Sequence, residues 1–170
     1  MKKAQVAGQI FIYITAIVIV GLIIVYGYSA IKGFTERGEE VEYITMQKSV
    51  ENAVKSIASD YGSVKRPDID VPGKYELVCF VDKGLSEEAI ETSDICQSRA
   101  GREKYHQPIV CSGWKTGRNN VFLIPDGSES FDVGNIVMEH GNFLCFDVFN
   151  NKINLQLTGL GDRVEISSYS

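Results

Sequence analysis

Two histidines, one tryptophan, four prolines and four cysteines are all that 170 residues carry of these types. The cysteines stand 17, 15 and 34 residues apart, so there is no C-x-x-C pair. His106 and His140 lack ligand spacing as well, and a zinc centre is not expected. The chain has no G-x-S-x-G elbow, and Ser112, His140 and an aspartate are types that any chain of this size contains. The acids of "PDGSESFD" do not have EF-hand spacing and read as a solvated turn. A basic stripe is also missing. Lys+Arg is 17 against 22 Asp+Glu, a net charge of -5, and from Gly33 onward 14 basic residues face 22 acidic ones. Phosphate contacts supply most nucleic-acid affinity, so such partners are excluded. The reading is a protein that is not an enzyme and needs no cofactor.

The longest absence is of charge: none occurs between Lys3 and Lys32. From Ile10 to Tyr26 the chain is almost entirely Ile, Val, Phe, Tyr, Leu, Ala and Gly, with Thr15 the only hydroxyl besides the tyrosines. The run exceeds the ~20 residues that a helix needs to cross hydrocarbon. Its β-branched content would suit a strand in water, but in a bilayer a lone strand leaves its backbone groups unpaired. A transmembrane helix over 5–31 is therefore expected, with Tyr13 at one end and Tyr26 and Tyr28 at the other as interfacial aromatics. A removable secretory signal is the rival, although its apolar core is normally only about 7–15 residues long. Lys2 and Lys3 nearly balance Lys32 and Arg37 across the helix. The four cysteines, all between Cys79 and Cys145, break that tie. They imply an oxidising compartment for the C-terminal domain and a cytoplasmic N-terminus.

A second helix, amphipathic, is expected over 35–61. Val41, Ile44, Met46, Val50, Val54, Ile57, Ala58 and Tyr61 fall on one face at helical spacing, with Glu42, Lys48, Glu51 and Lys55 opposite. Gly62 and Pro67 mark its end. If Gly33 and Gly38 only bend the backbone, the two segments make one rod on the order of 80 Å long.

From residue 64 to 170 the pattern changes to short apolar runs separated by turn residues, a β domain. The expected strands are 74–82, 119–125, 130–138, 142–149, 153–159 and 163–168, the last four spaced like an antiparallel meander. Tyr75, Leu77, Cys79 and Val81 alternate onto one face of the first strand. Lys83–His106 reads as a long loop or as one holding a short helix near Ser86–Thr92. Four cysteines allow three pairings, and spacing alone does not choose among them. Cys79 with Cys145, both in strands, and Cys96 with Cys111, clamping the long loop, are the expected pairs. Trp114 is expected to be a partly buried aromatic beside a disulfide rather than an exposed recognition residue.

The opening "KKAQ" resembles the class III signal of archaeal type IV pilin-like proteins, a short basic leader cut just before a glutamine. Carried over to this chain, the resemblance implies a leader of residues 1–4, a cut between Ala4 and Gln5 by a prepilin-type peptidase, and an apolar helix kept on the mature protein. Pilins of this type continue with an amphipathic half-helix and a β-rich head, the same order as here. The stretches "YELVCFVD", "NVFLIP" and "GLGDRVEIS" also resemble uncharacterised membrane-anchored archaeal secreted proteins. One departure concerns assembly. Pilins usually carry a glutamate at the fifth mature position, against a neighbour's N-terminal amine, and that position here is Gln9. An amide accepts a hydrogen bond but does not neutralise a charge in a low-dielectric core.

The expected fold is α+β: a transmembrane helix extended by an amphipathic helix, then a disulfide-bonded antiparallel β domain outside the cell. The function expected is that of a cell-surface pilin-like or pseudopilin subunit self-assembling through its N-terminal helix. The alternative is a monomeric membrane-anchored domain that binds an extracytoplasmic ligand.

Overall fold

The computed structural model describes the backbone of residues 3–98, 106–125 and 129–169, and their side chains except for 3–10 and 33–37. Contacts divide the chain into two units, Met1–Val41 and Glu42–Ser170. The described residues of the first are helix alone. The helix, α1, runs Lys3–Ala58 without interruption, so the apolar and amphipathic segments are one element of 56 residues. Gly33 and Gly38 do not break it. Only two of the four prolines, Pro67 and Pro72, come soon after, and both lie beyond its end.

In the second unit, the last turns of α1 bury Met46, Val50, Ala53, Val54 and Ile57, spaced by threes and fours along one stripe. Tyr43 and Ala58 pack partly against the same core. Val41, Ile44 and Tyr61, expected on this face, are exposed instead. Ile44 stands about 100° around the helix from Tyr43 and so misses the stripe. Tyr61 follows the last helical residue, where helical phase no longer applies. Gly62 takes φ +77° in the turn that follows the helix, where the Ser63 N–H donates to the Asp60 carbonyl at 3.2 Å, a conformation that glycine adopts without strain.

Among the described residues eight strands follow: β1 (Val64–Lys65), β2 (Leu77–Val81), β3 (Val121–Ile124), β4 (Ser130–Phe131), β5 (Ile136–Met138), β6 (Phe143–Asp147), β7 (Leu155–Gly159) and β8 (Val164–Ser168). Among the described residues between β2 and β3 are two short helices, α2 (Glu87–Glu91) and α3 (Pro108–Lys115). The strands form two four-stranded sheets, ordered β1-β7-β8-β5 and β4-β3-β2-β6. Every pairing is antiparallel except β5 with β8. The fold is thus α+β and rich in antiparallel sheet, but the last four runs are not a meander. Of the strands in those last four runs, β7 and β8 pair as sequence neighbours, closed at Gly159 opposite Val164. β5 meets β8 in parallel, and β6 leaves for the other sheet to pair with β2.

The expected strand 130–138 is in fact two strands in different sheets. Gly134 takes φ +94° between them, a region closed to most side chains. Buried Asn120 holds the crossing: its Oδ1 accepts from the Val133 N–H at 3.0 Å and its Nδ2 donates to the Gly134 carbonyl at 2.7 Å.

β2 is buried on both faces, not one. Val78 and Phe80 join a core with the α1 stripe and residues of both sheets, including Leu123, Phe146, Leu155 and Ile166. Leu77, Cys79 and Val81 face a second cluster with Phe122, Ile90, Val110 and Trp114. That second cluster is the cover formed by α2 and α3. The hydroxyl of Ser86 caps α2 by accepting from the Ala89 N–H, with Glu87 and Glu88 in the first turn, where acids suit the helix dipole. α3 begins at Pro108, a placement that costs no hydrogen bond in a first turn. Of the two readings of Lys83–His106, the one with a short helix near Ser86–Thr92 matches α2, whereas α3 was not foreseen.

Candidate functional site

Among the described side chains, Phe11–Lys32 of α1 is long and apolar enough to cross a bilayer, 22 residues with a mean hydropathy of 2.4. None of it is buried by the rest of the chain. Ile23, Ile24, Val25 and Tyr26, four consecutive residues that point around most of a helical circumference, are each more than 60% exposed. A helix apolar all round belongs in hydrocarbon or inside an assembly, not in water. Its one hydroxyl other than the tyrosines among these side chains before Tyr28, that of Thr15, donates to the Phe11 carbonyl at 2.8 Å and so carries no unmet polar demand into an apolar medium. Gly21 and Gly27 leave open notches on the surface, since a Cβ on either would meet nothing within 4 Å. Tyr13, Tyr26 and Tyr28 are exposed along this segment. Ala4, Gln5 and Gln9, the residues expected to matter for processing and assembly, lie on the helical backbone of α1, with side chains outside the described residues.

Where α1 enters the second unit, its solvent face carries Lys48, Glu51 and Lys55. The Glu51 carboxylate accepts from both ammonium groups, Lys55 and Lys48. These bonds hold its pKa at about 2. Spacings of three and four place the three residues in one row, which stabilises the exposed side of the helix.

The disulfides join Cys79 to Cys145 and Cys96 to Cys111. Cys79 and Cys145 are directly opposite each other on β2 and β6, with Cα atoms 4.0 Å apart, a close approach of the non-hydrogen-bonded kind. The second bond ties the segment after α2 to α3 and closes a 15-residue separation. Trp114, on the same helix as Cys111, is buried and donates its ring N–H to the Asp82 carbonyl at 2.7 Å. It is a core residue of the cover over β2 and β3.

Ser112 lies on α3 and His140 in the turn after β5, both exposed. The turn "PDGSESFD" lies partly outside the described residues. Among the described residues no group of three or more His, Cys, Asp or Glu side chains gathers as metal ligands would. Two solvent-open clefts deserve comparison. One of about 230 Å³ lies beside Asp82, Lys83, Asn120 and Arg163. Its groups are engaged: Lys83 pairs with Asp132, Arg163 with Asp162, and Asn120 with the backbone. The other, of about 540 Å³, lies at the end of the second sheet where β2 begins and β3 and β6 finish. Its far wall is the turn Asn150–Asn151, both at positive φ (51° and 60°), closed by mutual backbone bonds of Phe149 and Lys152. The two asparagines are the residues that a two-residue hairpin turn favours. Lys152 anchors the turn on Asp68, a hydrogen-bonded pairing that raises the pKa of its ammonium.

No protein-family model matches this chain, and neither a curated protein nor a solved structure shows significant similarity to it.

Proposed function

We propose that this protein is a non-enzymatic, pilin-like subunit of the cell surface, held first in the membrane by α1 and then packed through α1 against copies of itself. The observation that carries the reading is the uninterrupted helix Lys3–Ala58, apolar on all sides from Phe11 to Ile31 and core-forming on one stripe from Met46 to Ile57. A simple anchor needs an apolar span but no continuous helical join to the domain. A filament subunit uses that join to carry the packing of helices into the placement of heads. Open notches at Gly21 and Gly27 favour close backbone approach between such helices. The two disulfides support an oxidising, extracytoplasmic setting for the β unit, with the N-terminus cytoplasmic. Cleavage between Ala4 and Gln5 by a prepilin-type peptidase would leave the apolar segment on the mature chain.

The alternative is a monomeric anchored domain, and Gln9 separates the two readings. In a filament, Gln9→Glu restores a charge partner for a neighbour's amine and maintains or raises filament yield. Gln9→Leu leaves that amine without an acceptor and lowers assembly, at a cost of a few kcal/mol. Electron microscopy of the cell-surface fraction reads the outcome. Absence of filaments in all three forms, with equal surface levels, decides for the monomeric anchor.

A further inference from the structure

We infer that α2 and α3 open as a unit over the second sheet, and that the Cys96–Cys111 disulfide is the redox latch that holds this cover shut. Ile90 of α2, Val110 and Trp114 of α3, and Ile95 between them pack on the face of the sheet that carries Cys79 and Phe122. Among the described residues, the larger core that joins the α1 stripe to both sheets takes no member from α2 or α3. Val78, Phe80, Val121 and Leu123 join that core from the opposite face of β2 and β3. Lifting the cover therefore exposes one face of the second sheet and leaves the main core packed. Such an opening is a sub-global event, with a free energy below that of complete unfolding. The inference holds whether or not the chain polymerises.

Neither helix of the cover stands by itself. α2 has five residues and α3 eight, well short of the length at which an isolated helix persists in water. Their outer sides are joined by a Lys115–Glu91 ion pair at 2.6 Å, and exposed pairs of this kind contribute little. The Gln107 N–H donates to the Ile95 carbonyl at 3.0 Å. On the sheet side, the Trp114 ring N–H donates to the Asp82 carbonyl at 2.7 Å. α3 also sits close on β3, since a Cβ at Gly113 would come 2.5 Å from Cε1 of Phe122. The covalent tie is the disulfide. It closes a separation of 15 residues, and the chain freedom it removes favours the shut form by about a hundredfold. The open form is thus a minor state of the latched chain.

The latch is also the more accessible of the two bonds. Cys96 and Cys111 are both partly exposed. Of the other pair, Cys79 is fully buried and only Cys145 is partly exposed, so that bond is open to attack from one end. The reductant is a dithiol. Its first thiolate attacks one latch sulfur, the Cys96–Cys111 bond breaks, and a mixed disulfide forms. Its second thiolate then displaces the protein sulfur. The latch gains two electrons and two protons as a pair of cysteine thiols, and the reductant leaves as a cyclic disulfide.

The test is hydrogen exchange of the full chain in detergent, read by mass spectrometry over a series of low denaturant concentrations. The amides of α2 and α3 should exchange faster than those of β7 and β8, and with a smaller denaturant slope. Cys96→Ser with Cys111→Ser should speed exchange in both helices by about ten- to a hundredfold without denaturant and keep the small slope. Wild type treated with dithiothreitol should show the same exchange as that variant, and iodoacetamide should label Cys96 and Cys111 before Cys79 and Cys145. Gly113→Ala is the second variant. It disturbs the seat of α3 on Phe122 without touching a sulfur, and should speed exchange in α2 as well as in α3. One rate and slope shared by the cover and β7–β8 would overturn the inference. So would exchange that is unchanged by loss of the latch, earlier labelling of Cys79 and Cys145, or an effect of Gly113→Ala confined to α3.

Discussion

Gly159→Ala tests how closely the end of α1 rests on the first sheet. Gly159 is the last residue of β7, and an added Cβ would sit 2.3 Å from both the Ile57 and Asp60 carbonyl oxygens. These are backbone atoms at a helix end, not the tip of a flexible side chain, so the methyl has nowhere to go. About 1 Å of separation must be recovered, by moving either the end of α1 or the β7–β8 hairpin, and overpacking of this kind costs about 1–3 kcal/mol. The movement also strains two hydrogen bonds. The Gly62 N–H donates to the Gly159 carbonyl at 2.8 Å, and the Gly159 N–H donates to the Ser63 carbonyl at 2.9 Å. Each contributes about 0.5–1.5 kcal/mol. The expected loss is therefore about 2–6 kcal/mol. The assay is denaturant unfolding of the full chain with its disulfides intact. Trp114 serves as the reporter, since it is the one tryptophan of the chain and is buried in the structure. An unchanged midpoint and slope, with a loss under about 0.5 kcal/mol, would refute the close approach.

Asn120→Ala strands the buried Val133 N–H and opens a small void. It should cost about 2–3 kcal/mol in the same unfolding assay. Replacing Cys96 and Cys111 together by serine removes a 15-residue closure. It should lower stability by about 3 kcal/mol in the chain-entropy model, and untreated wild-type protein should show no alkylatable thiol by mass spectrometry. Glu51 has a folded pKa of about 2 against an ordinary 4.5, so its stabilising effect is fully present above pH 4.5 and is lost as pH falls towards 2. Thermal melts should show wild type above Glu51→Gln at pH 6 and the difference vanishing near pH 2. A difference that persists at the acid end would contradict the ion pairing.

Much was legible because it rests on local chemistry. The charge-free run between Lys3 and Lys32 needs no partner to be read as a helix for an apolar medium, since backbone satisfaction alone demands it. Ser86 before two glutamates is a local signal for α2, because caps act within a few residues. The cores of the strands at Cys79, Phe122, Cys145, Leu157 and Ile166 followed from apolar runs between turn residues. α3 carried a local signal too, with Pro108 at its start and Gly117 past its end, but eight residues with a glycine inside give a weak period.

What only the tertiary structure decided was which runs are neighbours. β5 reaches β8 in parallel and β6 crosses to β2, and hydrogen-bonded pairing between distant segments leaves no mark on spacing within either one. The split of 130–138 depends on Asn120 lying ten residues upstream to satisfy the crossing. Leu77, Cys79 and Val81 are buried like Val78 and Phe80 because α2 and α3 cover the second face, so alternation could not mark an outside. The 540 Å³ cleft gathers Glu76, Gln107, Asp147 and Asn151 from three separate stretches. Each was an ordinary polar residue in sequence, and they share one surface only because folding brings them to one end of a sheet.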